Sequence, residues 1–291
     1  MLQRQLGNMR IHRIIEWDEP NFDPLAFFPQ TTREDWEPHQ QWLDPVTGYL
    51  TLPMQAYLVR TRHHTILVDT CIGDHKKRQG GIIPPNWHMT TGGILLKNLA
   101  AAGVQPEDVD YVMCTHLHTD HVGWNTRLVN GRWIPTFPNA RYIMSRLELE
   151  GWLAIHAKDP REHLLDSVLP VVEAGQAELV THDYALDDEV WLEPTPGHTP
   201  DHVSVHLASN GRHALITGDM IHSPVQCMEL DWVPRPDFDP VLAGQTRRAF
   251  LERHCDTDTL ICATPFPSPS FGHIMPYDDV FQYKYEDESE A

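Results

Sequence analysis

Apolar and polar positions alternate in short, regular segments from about residue 54 onward, and this pattern predicts strands and helices in turn. The runs AYLVRT and HTILVDT are typical of two neighbouring strands that are buried on both faces. Thr91 is a suitable N-cap and Gly103 a suitable C-terminal stop, so a helix is predicted between them. The apolar run VDYVMCT then predicts a buried strand that leads directly into HLHTDHVG.

The second half of the chain repeats this arrangement. Helices are predicted near Leu147 to Ala157, from Arg161 to Ala174 and from about Pro240 to His254. Strands are predicted at RYIM, AELVTH, EVWLEPT, HVSVHLA, HALITGD and TLICAT. Strands and helices that are mixed in two successive groups favour a layered α/β fold, with two sheets inside and helices outside.

One domain is predicted over residues 1–291, since the sequence contains no internal repeat, low-complexity tract or Gly/Ser linker. Residues 1–50 are predicted to be an irregular aromatic extension, residues 51–280 the regular core, and residues 281–291 a frayed acidic tail. The extension either wraps the surface or forms a wall of a pocket. A homodimer in which a neighbouring chain covers the aromatic side chains is also predicted.

The chain is strongly acidic, with 41 Asp and Glu against 22 Lys and Arg and a formal net charge of -19 at pH 7. Such a charge repels a phosphate backbone, so nucleic acid is not expected as a partner and a small, neutral or weakly polar substrate is favoured. No apolar stretch reaches the ~18 residues of a membrane span, and the amino terminus lacks the apolar core of a secretion signal. We therefore expect a cytoplasmic protein that does not bind membranes.

Several common kinds of site are absent from the sequence. Five scattered cysteines without a CxxC pair predict reduced thiols rather than disulfides or a thiolate zinc site. There is no GxSxG, P-loop or GxGxxG motif, which argues against a serine hydrolase, a nucleoside triphosphatase and a Rossmann fold. The unusual residue is histidine, of which there are 19.

The segment HLHTDHVG places four potential metal ligands, His116, His118, Asp120 and His121, directly after a predicted buried strand. Imidazole and carboxylate groups are ligands that suit zinc, with manganese, iron or cobalt as substitutes. A polar loop with surface histidines is the alternative interpretation. The density of ligands in one short loop favours a site in which a single peptide serves two ions.

Three later strand ends each offer one further ligand beside a glycine, which lets the backbone approach a crowded centre: His198 in PGHT, Asp219 in TGDM and His273 in FGH. The predicted arrangement gives one metal His116, His118 and His198, gives the other Asp120, His121 and His273, and has Asp219 bridge them. His202, four residues after His198, is predicted not to be a ligand, because Pro200 and a strand-like context exclude the shared helical face of an HExxH motif.

In this order, HLHTDHVG, PGHT, TGDM and FGH resemble the ligand motifs of the metallo-β-lactamase superfamily. The resemblance covers about three quarters of the chain, and it implies a four-layer αβ/βα sandwich of two mixed β-sheets flanked by helices, with the metals at one edge. It also implies that Asp69 in LVDT accepts a hydrogen bond from a ligand histidine, which fixes the tautomer of that ring.

The resemblance implies a hydrolase with two zinc ions that share a bridging hydroxide as nucleophile, while Asp120 passes a proton to the leaving group. Lactones and esters are the expected substrates, as in the lactonases that open acyl-homoserine lactones. Where those enzymes carry a tyrosine that assists the carbonyl, this chain has His222, which looks more like methyl parathion hydrolase and is predicted to stabilise the oxyanion or protonate the leaving group. Phosphotriester hydrolysis, glyoxalase II-like thioester hydrolysis and a non-enzymatic, metal-containing ligand-binding regulator are the alternatives.

Overall fold

The computed structural model describes residues 2–287 and contains two large β-sheets. The strands before the middle of the chain are β1 (Gln3–Leu6), β2 (Met9–Trp17), β3 (Pro20–Phe22), β4 (Leu50–Thr51), β5 (Met54–Arg60), β6 (Thr65–Val68), β7 (Tyr111–Met113), β8 (Thr126–Val129), β9 (Arg132–Pro135) and β10 (Arg141–Ser145). The later strands are β11 (Ala177–Val180), β12 (Val190–Pro194), β13 (Val203–Ser209), β14 (Arg212–Ile216), β15 (Leu260–Cys262), β16 (Phe271–Tyr277) and β17 (Val280–Tyr285). The α-helices are α1 (Pro24–Phe27), α2 (Ile94–Ala101), α3 (Arg146–His156), α4 (Leu169–Glu173), α5 (Val225–Met228) and α6 (Pro240–His254).

Both large sheets are mixed. The first has seven strands in the order β1-β2-β5-β6-β7-β10-β11, and the second has six strands in the order β12-β13-β14-β15-β16-β17. The neighbours β6 and β7, β7 and β10, β10 and β11, and β14 and β15 run parallel. Because these parallel neighbours end at the same edge of their sheet, loops that follow them can meet there.

Side chains of each sheet point alternately to its two faces, as the period of a strand requires, and both faces are covered by apolar residues. In β5, Tyr57 and Val59 face a core between the two sheets, whereas Ala56 and Leu58 face a second core on the outer side of the first sheet. Helices α2, α3 and α4 contribute to that outer core, and α6 packs on the outer face of the second sheet. The predicted four-layer αβ/βα sandwich is therefore confirmed.

The prediction that residues 1–50 are irregular is wrong for the first part of that segment. Strands β1 and β2 belong to the seven-stranded sheet, and β2 pairs antiparallel with β5 from Arg10 to Trp17, with a register shift between Ile15 and Trp17. The buried Arg13 interrupts the apolar pattern of β2, and its guanidinium donates to the side chain of Gln55 on β5. A charged residue that is satisfied by a partner distant in sequence leaves no local signal for a strand.

The acidic tail also begins later than predicted. Residues 280–285 form β17, which pairs with β16 at the edge of the second sheet, and the Glu286 carboxylate accepts a hydrogen bond from the Arg4 guanidinium. Only residues 288–291 of the predicted tail remain, and they lie outside the described residues.

The aromatic segment between β3 and β4 packs against the same chain. Phe28 and Trp36 are almost fully buried, and the Trp36 ring lies 4.8 Å from the Trp232 ring. Much of the aromatic surface that motivated the predicted homodimer is therefore covered by the chain itself, although Tyr49 is exposed, and the homodimer stays a prediction. No helix in the described residues 2–287 is long and apolar enough to span a bilayer.

Candidate metal centre

The candidate ligands lie in loops at one edge of the two sheets. Asp69 follows β6, the segment that begins with His116 follows the adjacent parallel strand β7, and Asp219 follows β14. His198 lies in the turn between β12 and β13. Parallel neighbours thus deliver HLHTDHVG and Asp69 to the same place, as the sequence predicts.

Asp69 holds the metal-binding loop in place. Its Oδ1 accepts a hydrogen bond from the Thr115 backbone N–H at 2.8 Å, and its Oδ2 accepts one from the Thr115 hydroxyl at 2.8 Å. The same Oδ2 lies 2.9 Å from His121 Nδ1, so this nitrogen donates to Asp69 and leaves His121 Nε2 to face Asp219. Asp69 thus accepts a hydrogen bond from His121, as the resemblance implies, and the role of His121 as a metal ligand stays a prediction.

Three imidazole nitrogens converge on one point. His118 Nδ1 lies 3.0 Å from His116 Nε2 and 2.9 Å from His198 Nε2. The other ring nitrogen of His116 faces the Thr115 hydroxyl, and that of His198 faces an oxygen of Asp237 at 2.8 Å. Because these outer nitrogens are the donors, two lone pairs point at the space that His118 also faces, which is the arrangement a cation requires.

Asp219 closes this first group and joins it to a second. Asp219 Oδ2 lies 3.5 Å from His198 Nε2 and 4.0 Å from His116 Nε2. A tetrahedral zinc ion with bonds of about 2.0–2.1 Å separates its ligand atoms by about 3.4 Å. The observed separations of the four donor atoms scatter around that distance, so the chemistry and the spacing of the residues fit a divalent metal.

The second group contains Asp120, His121 and Asp219. His121 Nε2 lies 3.1 Å from Asp219 Oδ1 and 3.7 Å from Asp120 Oδ2. The two oxygens of Asp219 thus face different groups, which is what a bridging carboxylate between two ions requires.

Burial and the crowding of imidazoles set the charge states of the first group. Burial, followed by the neighbouring histidines, holds the pKa values of His116, His118 and His198 well below the usual range. These rings are therefore neutral at pH 7, which is the form that binds metals. His121 differs: burial alone would lower its pKa, but the three surrounding carboxylates outweigh burial and raise the pKa well above the usual range.

Glycine is required at two of the turns. Gly218 has a φ of +54°, and a Cβ there would lie 2.6 Å from His202 Nε2 and 2.8 Å from the Thr115 side chain. Gly197 has a φ of +124°, and a Cβ there would lie 2.3 Å from the backbone of Ala243 at the start of α6. These close approaches bring Asp219 and His198 into the centre.

Two residues that support the centre were missed at the sequence level. Asp237 faces His198 as described, and the following residue, Phe238, donates its N–H to the His198 carbonyl at 3.0 Å. Glu148 is buried on α3 and accepts backbone N–H groups from Leu117 at 3.1 Å and Asp201 at 2.9 Å. No local motif marks either acid, because the partners of each are distant in sequence.

His222 and His202 lie on opposite sides of Asp219. His222 Nε2 is 3.4 Å from Asp219 Oδ2, and its ring lies 4.7 Å from the His198 ring and 5.4 Å from the Phe27 ring. His202 Nε2 instead accepts the Asp219 backbone N–H at 3.0 Å. His202 therefore supports the turn that carries Asp219, and its exclusion as a ligand stays a prediction.

The assignment of His273 to the second metal is wrong. His273 lies inside β16, with Nδ1 3.0 Å from the Thr259 carbonyl and Nε2 3.3 Å from Glu286 Oε1. Strand β16 runs antiparallel to β15, so it carries the chain away from the edge at which β15 ends. The residue that follows the site end of β15 and lines the cavity is Thr264.

A cavity of about 330 Å³ opens over the two groups of ligands. One side is formed by polar residues of the centre, including His118, Asp120 and His222. The apolar residues of the lining come from four parts of the chain: Phe22, Phe27, Leu52, Met54, Ile82, Ile83, Trp87 and Trp152. The charged residues Lys77, Arg78, Arg161 and Glu162 also line the cavity. The aromatic amino-terminal segment therefore forms part of the cavity wall, one of the two roles left open by the sequence.

Comparisons with known proteins agree with this architecture. The family described as the metallo-beta-lactamase superfamily matches residues 52–263, more than half of the 291 residues. The chain therefore belongs to the metallo-beta-lactamase superfamily, and it is a hydrolase of that superfamily.

Similar proteins include lactonases. An N-acyl homoserine lactonase of Bacillus cereus is 30% identical over 204 residues, which cover 67% of this chain and 73% of the relative. The structure of AidC, a dizinc quorum-quenching lactonase in complex with a product, N-hexnoyl-L-homoserine, superposes with a TM-score of 0.80 at 21% identity, covering 98% of this chain and 97% of that one. The hydrolase AbOPH of the beta lactamase superfamily superposes with a TM-score of 0.81 at 24% identity and the same coverage.

Replacing Asp69 with asparagine should weaken metal binding about 10- to 100-fold, because the amide has a single acceptor oxygen, which cannot serve the Thr115 backbone N–H and His121 Nδ1 at the same time. Competition with a chromophoric chelator measures the affinity. Asp110→Asn is the matched control, since Asp110 Oδ2 accepts the Thr65 N–H at the opposite end of β6. Equal affinities for the Asp69→Asn variant and the wild type would refute the orienting role.

Proposed function

We propose that this hydrolase binds two zinc ions and opens the ring of a neutral lactone that carries an apolar acyl group. The observation that carries the proposal is the pair of donor groups that share Asp219 at the base of a largely apolar cavity. The similarity to N-acyl homoserine lactonases supports the choice of a lactone over other esters.

The first ion would be held by His116, His118, His198 and Asp219, and the second by Asp120, His121 and Asp219. When bound, the ions supply positive charge that lowers the pKa of water and polarises the carbonyl of the substrate. Manganese, iron or cobalt have the same preference for imidazole and carboxylate ligands and could replace zinc.

The chain contributes orientation and proton transfer. In ring opening, a bond forms between the water oxygen and the carbonyl carbon, and the bond between that carbon and the ring oxygen breaks. The proton released by water must reach the departing alkoxide. Asp120 lines the cavity beside His121, and we assign it the role of carrying this proton.

The apolar wall supports an acyl chain as the remaining part of the substrate. Phe22, Phe27 and Trp87 form one continuous aromatic group, with the Phe22 ring 5.2 Å from Phe27 and 5.8 Å from Trp87. Burial of apolar area contributes roughly 25 cal/mol per Å², so each methylene of an acyl chain would add about 0.8 kcal/mol of binding energy. The net negative charge of the protein also favours a neutral substrate over an anionic one.

We assign His222 the role of stabilising the developing oxyanion. It lines the cavity, is almost fully buried, and its Nδ1 has no hydrogen-bond partner among the described residues 2–287. A ring N–H that faces the reacting carbonyl would act only when charge develops, so its effect would fall on kcat.

The variant His222→Phe should lower kcat/KM on the best lactone about 10²-fold while the metal content stays at the wild-type level. Phenylalanine preserves the ring contact with Phe27 but offers no donor. His222→Gln, which retains a donor, should recover part of the loss. An unchanged kcat/KM in His222→Phe would show that the oxyanion role is wrong.

One observation favours a second candidate, the hydrolysis of phosphotriesters. A histidine at position 222 is the feature that resembles methyl parathion hydrolase, as set out from the sequence. A screen of the zinc-loaded protein on acyl-homoserine lactones, aryl esters, phosphotriesters and thioesters separates these activities. The proposal predicts the highest kcat/KM on lactones; a phosphotriester preference of tenfold or more would replace it with the second candidate, and no turnover of any class would favour the ligand-binding alternative.

A further inference from the structure

The two groups of donors at the proposed metal centre are not equal. Four residues converge in the first group, and three converge in the second, with Asp219 counted in both. As a ligand, His273 would have completed the second group, as the sequence predicted. That residue instead lies at the opposite edge of the second sheet. Among the described residues 2–287, the second group therefore lacks one protein donor.

His222 faces the same oxygen of Asp219 as the histidines of the first group. Asp219 Oδ2 faces His198, His116 and also His222, at 3.5, 4.0 and 3.4 Å. Asp219 Oδ1 faces His121 at 3.1 Å. His222 thus lies with the first group and shares a donor group with His198 and Asp237 rather than with Asp120 and His121.

Thr264 lies in the cavity-lining loop after β15, from which a further donor to the second group could come. It follows the carboxyl end of β15, which runs parallel to β14, and β14 delivers Asp219 to the same edge. Thr264 is 3% exposed, lines the cavity, and its hydroxyl has no hydrogen-bond partner among residues 2–287. A neutral hydroxyl is not among the ligands that zinc prefers, which are imidazole, thiolate and carboxylate.

We propose that the protein binds its two divalent ions with unequal affinity: the first group retains one ion, and the second group holds an exchangeable ion whose coordination is left open for water or substrate. The proposal rests on the proposed two-metal function and deepens it. Four protein ligands are typical of closed sites, whereas three protein ligands are typical of sites with an open catalytic position. The open position would therefore belong to the ion held by Asp120, His121 and Asp219.

The experiment measures binding and not turnover. The full-length protein is stripped with a chelator, titrated with zinc by isothermal calorimetry, and, after loading, dialysed against a weak competing chelator before elemental analysis. We expect two binding phases that differ at least about tenfold in dissociation constant, equivalent to 1.4 kcal/mol, and about one ion retained after dialysis. Two ions of equal affinity that are lost together would overturn this inference and leave the proposed function standing. Failure to bind any ion would overturn both.

Variants at Thr264 test the cause of the inequality. Thr264→His adds a nitrogen in the cavity-lining loop after β15 and should tighten the weaker phase at least about tenfold. Thr264→Val removes the hydroxyl with little change of shape and should leave both phases as in the wild type. If Thr264→Val abolishes the second phase, the hydroxyl is itself a ligand and the proposed deficiency is wrong.

If circular dichroism shows that Thr264→His does not fold, a second variant, which removes a donor from the second group, tests the same inference. Asp120→Asn should eliminate the weaker phase and leave the tighter one within about threefold of the wild type. Loss of both phases in a folded Asp120→Asn variant would show that the two positions are not separable, and it would overturn the inference.

Discussion

Replacing His118 with alanine should lower kcat/KM for lactone hydrolysis by about 10³-fold or more and should remove the tightly bound metal ion. The reason is geometric: His118 Nδ1 lies within 3.0 Å of both His116 Nε2 and His198 Nε2, so it faces the point on which the first group converges. A loss of 10³-fold corresponds to about 4 kcal/mol of transition-state stabilisation. Steady-state kinetics and elemental analysis on the same preparation provide the measurement.

His163→Ala is the matched control for this variant. His163 is also buried in the cavity wall and also packs edge-on against Trp152, with its ring 4.8 Å away compared with 5.2 Å for His118. It belongs to neither donor group. We expect His163→Ala to keep its metal and to change kcat/KM by less than about tenfold. Equal losses in the two variants would indicate that packing against Trp152, and not metal binding, explains the effect of His118.

Replacing Asp166 with alanine should lower the free energy of unfolding by about 3–5 kcal/mol, because it leaves the buried Arg78 guanidinium without its counter-ion and removes the carboxylate that favours the charged form of Lys76. Arg78 donates to both oxygens of the Asp166 carboxylate, at 2.9 and 3.0 Å, and Lys76 Nζ lies 3.7 Å from one of them. All three side chains are buried. Burial lowers the pKa of Lys76 to about 7 even though Asp166 opposes the shift, so the ammonium depends on this partner.

The cluster of Lys76, Arg78 and Asp166 holds one wall of the cavity in place. Lys76 and Arg78 belong to the segment between β6 and α2, and Ile82, Ile83 and Trp87 of that segment line the cavity. We therefore expect Asp166→Ala to raise KM as well as to destabilise the fold. Urea denaturation at a fixed zinc concentration measures the stability.

The chain offers an exposed ion pair as the control for Asp166. Asp159 Oδ2 lies 2.7 Å from Arg161 Nη2, and both side chains are substantially exposed. Asp159→Ala should cost at most about 1 kcal/mol. A cost for Asp166→Ala no larger than that of Asp159→Ala would contradict the role assigned to the buried cluster.

The short-range features of the centre are predictable from the sequence, because they depend on neighbouring residues. HLHTDHVG follows a buried strand, and the four candidate ligands of this segment need only one loop to reach the site. Asp69 and Asp219 end strands that are parallel to a neighbour, so the edge at which they lie is fixed by the topology of the fold.

The features that depend on long-range geometry are not predictable in the same way. The pattern FGH suggests a glycine turn, but Gly272 and His273 lie within an antiparallel strand whose direction the local sequence does not reveal. Asp237 is fixed by a contact across 39 positions of sequence with His198. The buried Arg13 similarly interrupts the apolar pattern by which β2 could be predicted, since its partner Gln55 is on another strand.

The most direct test of the central claim is a zinc titration of the stripped protein in which bound metal and lactone hydrolysis are followed in the same samples. The proposal predicts no hydrolysis above background without metal, and hydrolysis that rises with bound zinc. Undiminished hydrolysis by the metal-free protein, or well under one bound equivalent after reconstitution, would contradict it.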